Sequence, residues 1–286
     1  MNVLVTGGRG QLGQAIVRRG AAAGHVVTAL GHHELDICDE GAVAARCNDH
    51  APDVVINAAA YTAVDKAEAN RVGAFAVNAD GAAIVARTCA ARAIRVLHVS
   101  TDYVFDGTLD RPYQEDDVPQ PISVYGESKL AGERHVQAAG GIVVRTSWLF
   151  GRGGPSFVHT ILRLAAERPL LRVVADQRGC PTWADDLADA LLVLATRPDL
   201  EPCYHFCGAE AVTWHAFASA IVAEARLHRG LACERIEAIT TAEYPTPARR
   251  PMSSVLDTAR IRGLGIEPPR WHTGLAAVVA QQLAEP

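Results

Sequence analysis

Two residues four apart offer acid–base chemistry. Tyr125 and Lys129 stand in the stretch Tyr125-Gly126-Glu127-Ser128-Lys129, and a helix there projects both from one face. A phenol with an ordinary pKa of about 10 is a poor proton donor near neutral pH, and a neighbouring ammonium lowers that value by favouring the phenolate. The pair alone equally fits a solvated helix surface. A third group separates the two readings. Ser100-Thr101-Asp102 closes a short apolar run, and an open α/β sheet presents its ligand-binding residues at such strand ends. A Thr101 hydroxyl placed there can hydrogen-bond a carbonyl lying beside Tyr125. Thr101, Tyr125 and Lys129 together form the expected catalytic centre of a hydride-transferring oxidoreductase.

A second chemistry is written at the start of the chain. The run Asn2–Thr6 leads into Gly7-Gly8-Arg9-Gly10-Gln11-Leu12-Gly13, followed by a helical stretch from Gln14 to Ala23. Gly8, Gly10 and Gly13 give G-x-G-x-x-G; Gly7, Gly10 and Gly13 give G-x-x-G-x-x-G. Such glycines let backbone approach a pyrophosphate, whose charge the following helix N-terminus stabilises. Glycine-rich turns also serve simple strand–helix packing, but the strand before and the helix after favour dinucleotide binding. The second strand ends at Leu30, where NAD-selective proteins place a carboxylate for the ribose 2′-hydroxyl. Here Gly31-His32-His33 follows. The missing carboxylate, with Arg9 in reach of a 2′-phosphate, favours NADPH over NADH; the competing reading of Arg9 is a solvated loop charge. Asp36 is expected either to accept from the adenine amino group or to cap the next helix.

The elements that must position these groups alternate over residues 1–150. Strand-like runs at Asn2–Thr6, His25–Leu30, Asp53–Ala58, Arg95–Ser100 and Gly141–Thr146 are rich in Val and Ile, and Ala-rich helical stretches separate them. This pattern predicts a doubly wound α/β fold on a parallel sheet, the Rossmann dinucleotide-binding architecture. After Phe150 the sequence Gly151-Arg152-Gly153-Gly154-Pro155 breaks the alternation, and Gly151–Gly154 suits a hinge. Helices are expected at Ser156–Glu167, Ala184–Thr196 and Trp214–His228. Residues 151–286 are read as a smaller mixed α/β substrate-binding lobe with a soft boundary, some segments packing back on the sheet. A frayed end is expected over residues 281–286.

Composition narrows the partners. The 286 residues include 27 Lys+Arg against 32 Asp+Glu, a net charge of −5, which argues against a dedicated nucleic-acid or anionic-membrane binder. No apolar run reaches the roughly 18–20 residues that span a bilayer, and no charged leader precedes an apolar stretch. A cytoplasmic protein is expected. Seven scattered cysteines read as reduced, mostly buried thiols. Cys203, His205 and Cys207 are a weak metal hint lacking a fourth ligand.

The motifs resemble those of an extended short-chain dehydrogenase/reductase, and more closely the dTDP-4-dehydrorhamnose reductase family. The matching stretches are residues 57–68 (Asn57 to Glu68), 100–105, 124–133, 145–148, 176–182 and 244–251, so the likeness runs nearly the whole chain. The resemblance implies NADPH-dependent reduction of the C4 keto group of dTDP-4-dehydro-β-L-rhamnose, the last step of dTDP-L-rhamnose synthesis, with NADH also usable. It implies Tyr125 as proton donor, Lys129 on the nicotinamide ribose and Thr101 on the carbonyl. Gly10, Gln11, Leu12, Asp36, Ile37, Ala58, Ala59, Ala60 and Thr62 fall at cofactor positions. Val64, Tyr103 and Trp148 fall at the sugar, and Arg250 at the substrate diphosphate or, alternatively, on the surface beside a proline turn. One departure concerns Mg²⁺. Where some members carry an acidic metal ligand this chain has Ala15, which removes a hard oxygen donor. That argues against a metal-linked dimer and for a monomer or weak homodimer, with Asp185 and Asp189 on a solvated helix face. The rivals are a 4-ketoreductase or epimerase of another nucleotide sugar, and a non-catalytic NADP-binding regulatory subunit. Asp102 followed by Tyr103 rather than Glu disfavours a dehydratase.

Overall fold

The computed structural model describes residues 1–284. Its elements, in chain order, are β1 (Asn2–Thr6), α1 (Gln11–Ala22), β2 (Val26–Leu30), α2 (Glu40–His50), β3 (Val54–Asn57), α3 (Val64–Ala69), α4 (Arg71–Phe75), a π-helical segment (Ala76–Gly81), α5 (Ala82–Ala90), β4 (Arg95–Thr101), α6 (Val124–Ala138), β5 (Ile142–Thr146), β6 (Leu149–Phe150), α7 (Phe157–Glu167), β7 (Leu170–Val174), β8 (Arg178–Gly179), β9 (Thr182–Trp183), α8 (Ala184–Thr196), β10 (Cys203–His205), β11 (Val212–Thr213), α9 (Trp214–Arg226), β12 (Arg235–Ile239), α10 (Ala259–Arg262) and α11 (His272–Ala284).

Valine and isoleucine runs form the centre because both faces of their strands are covered. Val3, Val5, Ile56, Leu97 and Val144 pack with Ala15 and Ile16 of α1 and the apolar side of α8. The alternate residues Leu4, Val55, Val96 and Val143 pack with Val43, Val85 and Val136 of α2, α5 and α6 on the other face. This is the near-continuous apolar patterning of a parallel sheet buried on both sides. The strand order is β10-β5-β4-β3-β1-β2, and all neighbours are parallel. Thr6 pairs with Leu30 and with Asn57, and Thr101 with Thr146. The carboxyl ends of β1 to β5 therefore share one edge, and the order reverses at β1, where a ligand crevice is expected.

The five expected strands form within one residue of their bounds at every end. Helix α1 starts at Gln11 rather than Gln14, because extended Gly10 ends the loop and its carbonyl already accepts from Gln14 N. Residues 184–205 return to the sheet: α8 lies along α1, and β10 adds the sixth strand beside β5. Of the remaining elements, α10 packs against β10, and α7, α9 and α11 pack over the parallel pair β7–β12 in a second core. Residues 281–284 are not frayed. They complete α11, and residues 285–286 lie outside the described chain. Among the described residues no helix is long and apolar enough to cross a membrane. All seven cysteines are free thiols, and Cys203 and Cys207 sit in different apolar clusters.

Candidate active site

The crevice at the sheet edge is a cleft of about 640 Å³. Its outer end is the glycine loop. Gly7 adopts φ +68°, and a Cβ there would meet Ala59 N at 2.7 Å and Ala58 O at 2.8 Å. Only glycine lets β1 and the Ala58–Ala60 strand end approach so closely. No side chain caps α1, and its first turn has no acidic residue, so its N–H groups and positive dipole end remain open to an anion. Gly7, Arg9, Gly10, Gln11, Leu12, Gly13, Ala58, Ala59, Ala60 and Thr62 all line the cleft, together with Gly31 and His32.

The inner end holds Thr101, Tyr125, Lys129 and Trp148. Tyr125 stands in the first turn of α6. Ser123 caps that helix by accepting from Gly126 N at 3.2 Å. Gly126 is required because any Cβ would strike Tyr103 O, so α6 lies directly on the segment after β4. Asn78, in the π-helical segment, ties the Tyr61 backbone to Ser128, whose hydroxyl donates to Tyr125 O at 2.8 Å. The Asn78 amide accepts from Tyr61 N (2.8 Å) and donates to Tyr61 O (3.1 Å) and to Ser128 Oγ (3.0 Å). Single π-helical turns often mark functional sites. No motif singled out Asn78, because nothing local to residue 78 records what it bridges.

Lys129 is turned toward the sheet. Its Nζ donates to Val99 O at 2.7 Å and lies 3.3 Å from His98 Nε2. His98 Nδ1 is 3.0 Å from Asn57 Nδ2, and Asn57 Oδ1 accepts from Thr6 Oγ1 at 2.6 Å, so four elements share one buried polar chain. Burial and the Lys129 charge hold the His98 imidazole well below its ordinary range, hence neutral. Burial lowers Lys129 to about 8. It also pushes the Tyr125 phenol up to about 12, against a lowering contact from Thr101. The expected lowering of Tyr125 by Lys129 is thus absent here: burial dominates, and the ammonium is engaged by a β4 carbonyl. Asp102 is raised to about 7 by its burial. Its Oδ1 accepts from Thr101 Oγ1 at 3.0 Å.

Of the expected substrate contacts, Val64, Tyr103 and Arg250 lie beside the cleft, whereas Trp148 lines it. Tyr103 packs edge-on against Tyr125, with centroids 5.8 Å apart. Arg250 lies near Tyr103 and grips Asp65 with two bonds of 3.0 and 2.8 Å. It is half-buried and committed to this ion pair. Val64 opens α3 next to Asp65. Trp148 takes a left-handed φ of +46°, uncommon for a bulky residue, and stacks on Trp214.

Three other expectations are corrected: a free Arg9 with no carboxylate beside it, Asp36 as the helix cap, and a solvated Asp185. Arg9 is not free. It pairs with Glu34 (Nη2–Oε1 3.1 Å), and the Glu34 carboxylate also accepts from Gly31 N at 2.8 Å. A carboxylate therefore does stand at the end of β2, supplied four residues beyond Leu30. Asp36 is exposed and accepts from Cys38 N, and the cap of α2 is Asp39, which accepts from Ala42 N. Ile37 is buried in the core against Gly81. Asp185 is not solvated. Its side chain is 7% exposed and pairs with Arg18 at 2.7 Å, while Asp189 pairs with Arg19. The neighbouring Ala15 is buried.

Gln11 Oε1, Ser100 Oγ, Thr146 Oγ1 and Asp102 Oδ2 are buried without a hydrogen-bond partner among the described residues, and all four belong to residues lining the cleft. Buried polar atoms are ordinarily satisfied. These orphans, the open helix terminus and the glycine cradle fit an elongated dinucleotide lying from Gly31 to Tyr125.

Comparison with known proteins agrees with that chemistry. The family model described as RmlD substrate binding domain matches residues 1–284. A dTDP-4-dehydrorhamnose reductase of Burkholderia thailandensis is 42% identical over 299 aligned positions covering all of both chains. The crystal structure of a dTDP-4-dehydrorhamnose reductase from Clostridium acetobutylicum superposes with a TM-score of 0.91 at 34% identity, covering 99% of each chain. One from Bacillus anthracis in complex with NADP gives 0.91 at 34% identity, covering 98% of this chain and 99% of that one. With its whole described length matched in sequence and in fold, the chain belongs to the dTDP-4-dehydrorhamnose reductase family, that of the RmlD substrate binding domain.

Proposed function

We propose that the protein reduces the C4 keto group of dTDP-4-dehydro-β-L-rhamnose to dTDP-β-L-rhamnose with NADPH. The observation that carries this reading is the meeting of Thr101, Tyr125 and Lys129 at the inner end of a cleft whose outer end is an uncapped helix behind a glycine loop. When bound, the dihydronicotinamide supplies hydride to C4. Tyr125, kept protonated by burial, gives its proton to the C4 oxygen, so the carbonyl gains one hydride and one proton. Thr101 holds that oxygen by turning its hydroxyl proton from Asp102 Oδ1 to the carbonyl. Lys129, with three donors and Val99 O occupying one, retains a donor for the nicotinamide ribose. The α1 N-terminus takes the pyrophosphate, and Gln11 and Thr62 border it. Val64, Tyr103 and Trp148 bound the sugar, and Arg250 faces the substrate diphosphate with its other edge anchored on Asp65.

The same reading places the work in the cytoplasm, by a monomer or weak homodimer. Residues 1–150 serve the dinucleotide, and residues 151–286 serve the substrate while lending α8 and β10 to the sheet. Asp185 and Asp189 are committed to Arg18 and Arg19, so no metal is required. The test is near-ultraviolet absorbance of NADPH mixed with the protein, with and without enzymatically prepared keto sugar, in EDTA. Oxidation only with the sugar, yielding dTDP-L-rhamnose, is expected. No oxidation by a folded protein that binds NADPH overturns the reading.

A further inference from the structure

The end of β2 holds an arrangement that the cofactor reading leaves unused. Dinucleotide folds that take NAD place a carboxylate just after the second strand, where it accepts from the adenosine ribose hydroxyls. Here that position is Gly31, and a Cβ on it would strike the stem of Arg9, with Glu34 Oε2 3.3 Å away. No side chain fits at residue 31 while Arg9 crosses it.

The chain brings a carboxylate back to the same place. Glu34 N and Leu35 N both donate to Gly31 O at 2.9 Å, closing a turn that folds residue 34 over residue 31. Glu34 Oε2 accepts from Gly31 N at 2.8 Å, and Oε1 accepts from Arg9 Nη2 at 3.1 Å. Arg9, Gly31 and His32 line the cleft. The Gly31 N–H and then Arg9 hold the Glu34 carboxyl below its usual range, so it is charged near neutral pH. The other cation at this turn, Arg46, donates to Glu34 O at 3.4 Å and is shared with Asp49.

We propose that Glu34 is the residue that sets the balance between NADPH and NADH, its carboxylate standing in for the missing strand-end acid and competing with a 2′-phosphate for Arg9. The proposal rests on the dinucleotide reading of the cleft. A ribose diol is offered an acceptor tethered to Gly31 N. A 2′-phosphate is offered Arg9, but must draw that guanidinium away from a carboxylate of its own sign. Both side chains are exposed (79% and 40%), and an exposed pair opens at little cost. The outcome is use of both cofactors, with neither strongly excluded. Arg9 alone reads as an NADP determinant; Arg9 with Glu34 reads as a shared one.

The test is the dissociation constant of NADPH and of NADH, by titration calorimetry, for the wild type, Glu34→Gln and Arg9→Ala. Thermal melts confirm folding. Gln keeps the acceptor for Gly31 N and removes the charge. Wild type is expected to bind both. In Glu34→Gln the NADPH:NADH preference should rise about tenfold, mostly by tighter NADPH. In Arg9→Ala it should fall by about the same factor. A preference that moves less than twofold in Glu34→Gln, while Arg9→Ala loses NADPH, overturns the role of Glu34. A wild type that binds neither nucleotide overturns the dinucleotide reading itself, and this proposal with it.

Discussion

The two ends of the cleft are built from different materials. At the inner end the polar groups are buried and their partners are backbone or other buried side chains: Lys129 on Val99 O, Asn78 on Tyr61 and Ser128, and Thr6, Asn57 and His98 in one chain. At the outer end Arg9 and Glu34 face water and hold each other across an exposed loop. Reaction chemistry needs a proton donor fixed to within fractions of an ångström, and low-dielectric surroundings make each contact there count. Choosing between two cofactors needs only a modest free-energy difference, which an exposed ion pair supplies and mutation alters without unfolding anything.

The largest effect expected from breaking this contrast is at the inner end. Tyr125→Phe removes the proton donor and should lower kcat by about 10³-fold, with cofactor affinity and the melting curve little changed. Turnover near that of wild type removes Tyr125 from the chemistry. Next is the buried pair behind α6. Arg145 donates to Glu133 at 3.0 and 2.7 Å with both side chains at most 5% exposed. Arg145→Met leaves Glu133 uncompensated and should cost about 3–5 kcal/mol in denaturant unfolding. A loss below about 1 kcal/mol, that of an exposed pair, would erase the distinction between buried and exposed pairs on which the contrast rests.

The third variant sharpens the contrast through pH. Asp102 rises to about 7 in the fold, above its unfolded value of about 3.9. Between these values the folded state holds a proton that the unfolded chain has released, so this group makes ligand-free stability fall as pH rises from about 4 to 7. Asp102→Asn should remove that slope, worth about 2–4 kcal/mol across the window; parallel wild-type and variant profiles contradict it. The smallest effect is at Arg250. Arg250→Ala should raise KM for the nucleotide sugar about tenfold with kcat nearly kept, and a loss confined to kcat would place it at the reacting carbonyl instead.

What the sequence displayed follows the same division. The strands were legible because Val and Ile runs buried on both faces leave no alternative register, and helix α8 forms over the expected Ala184–Thr196. The three-residue strand β10 carries Cys203-Tyr204-His205, with no apolar run to announce it. Spacing put Tyr125 and Lys129 on one helix face, but whether the ammonium turns to the phenol or to the β4 carbonyl depends on where β4 runs. Acidic residues at helical spacing made Asp185 look solvated, while its partner Arg18 stands 167 positions away. Glu34 was missed because strand-end carboxylates are sought at the residue after the strand, and the turn that carries residue 34 back to Gly31 has no side-chain signature.

The indoles of Trp148 and Trp214 lie with ring centroids 3.4 Å apart and planes 5° from parallel. Trp148 forms part of the cleft wall, and Gly179 lies close against its indole. Two chromophores this close share their excited states, so their near-ultraviolet dichroism and emission belong to the stack rather than to either ring. A ligand that shifts Trp148 even slightly alters a signal already present in the native molecule, and the cleft thereby carries its own unlabelled optical gauge of occupancy.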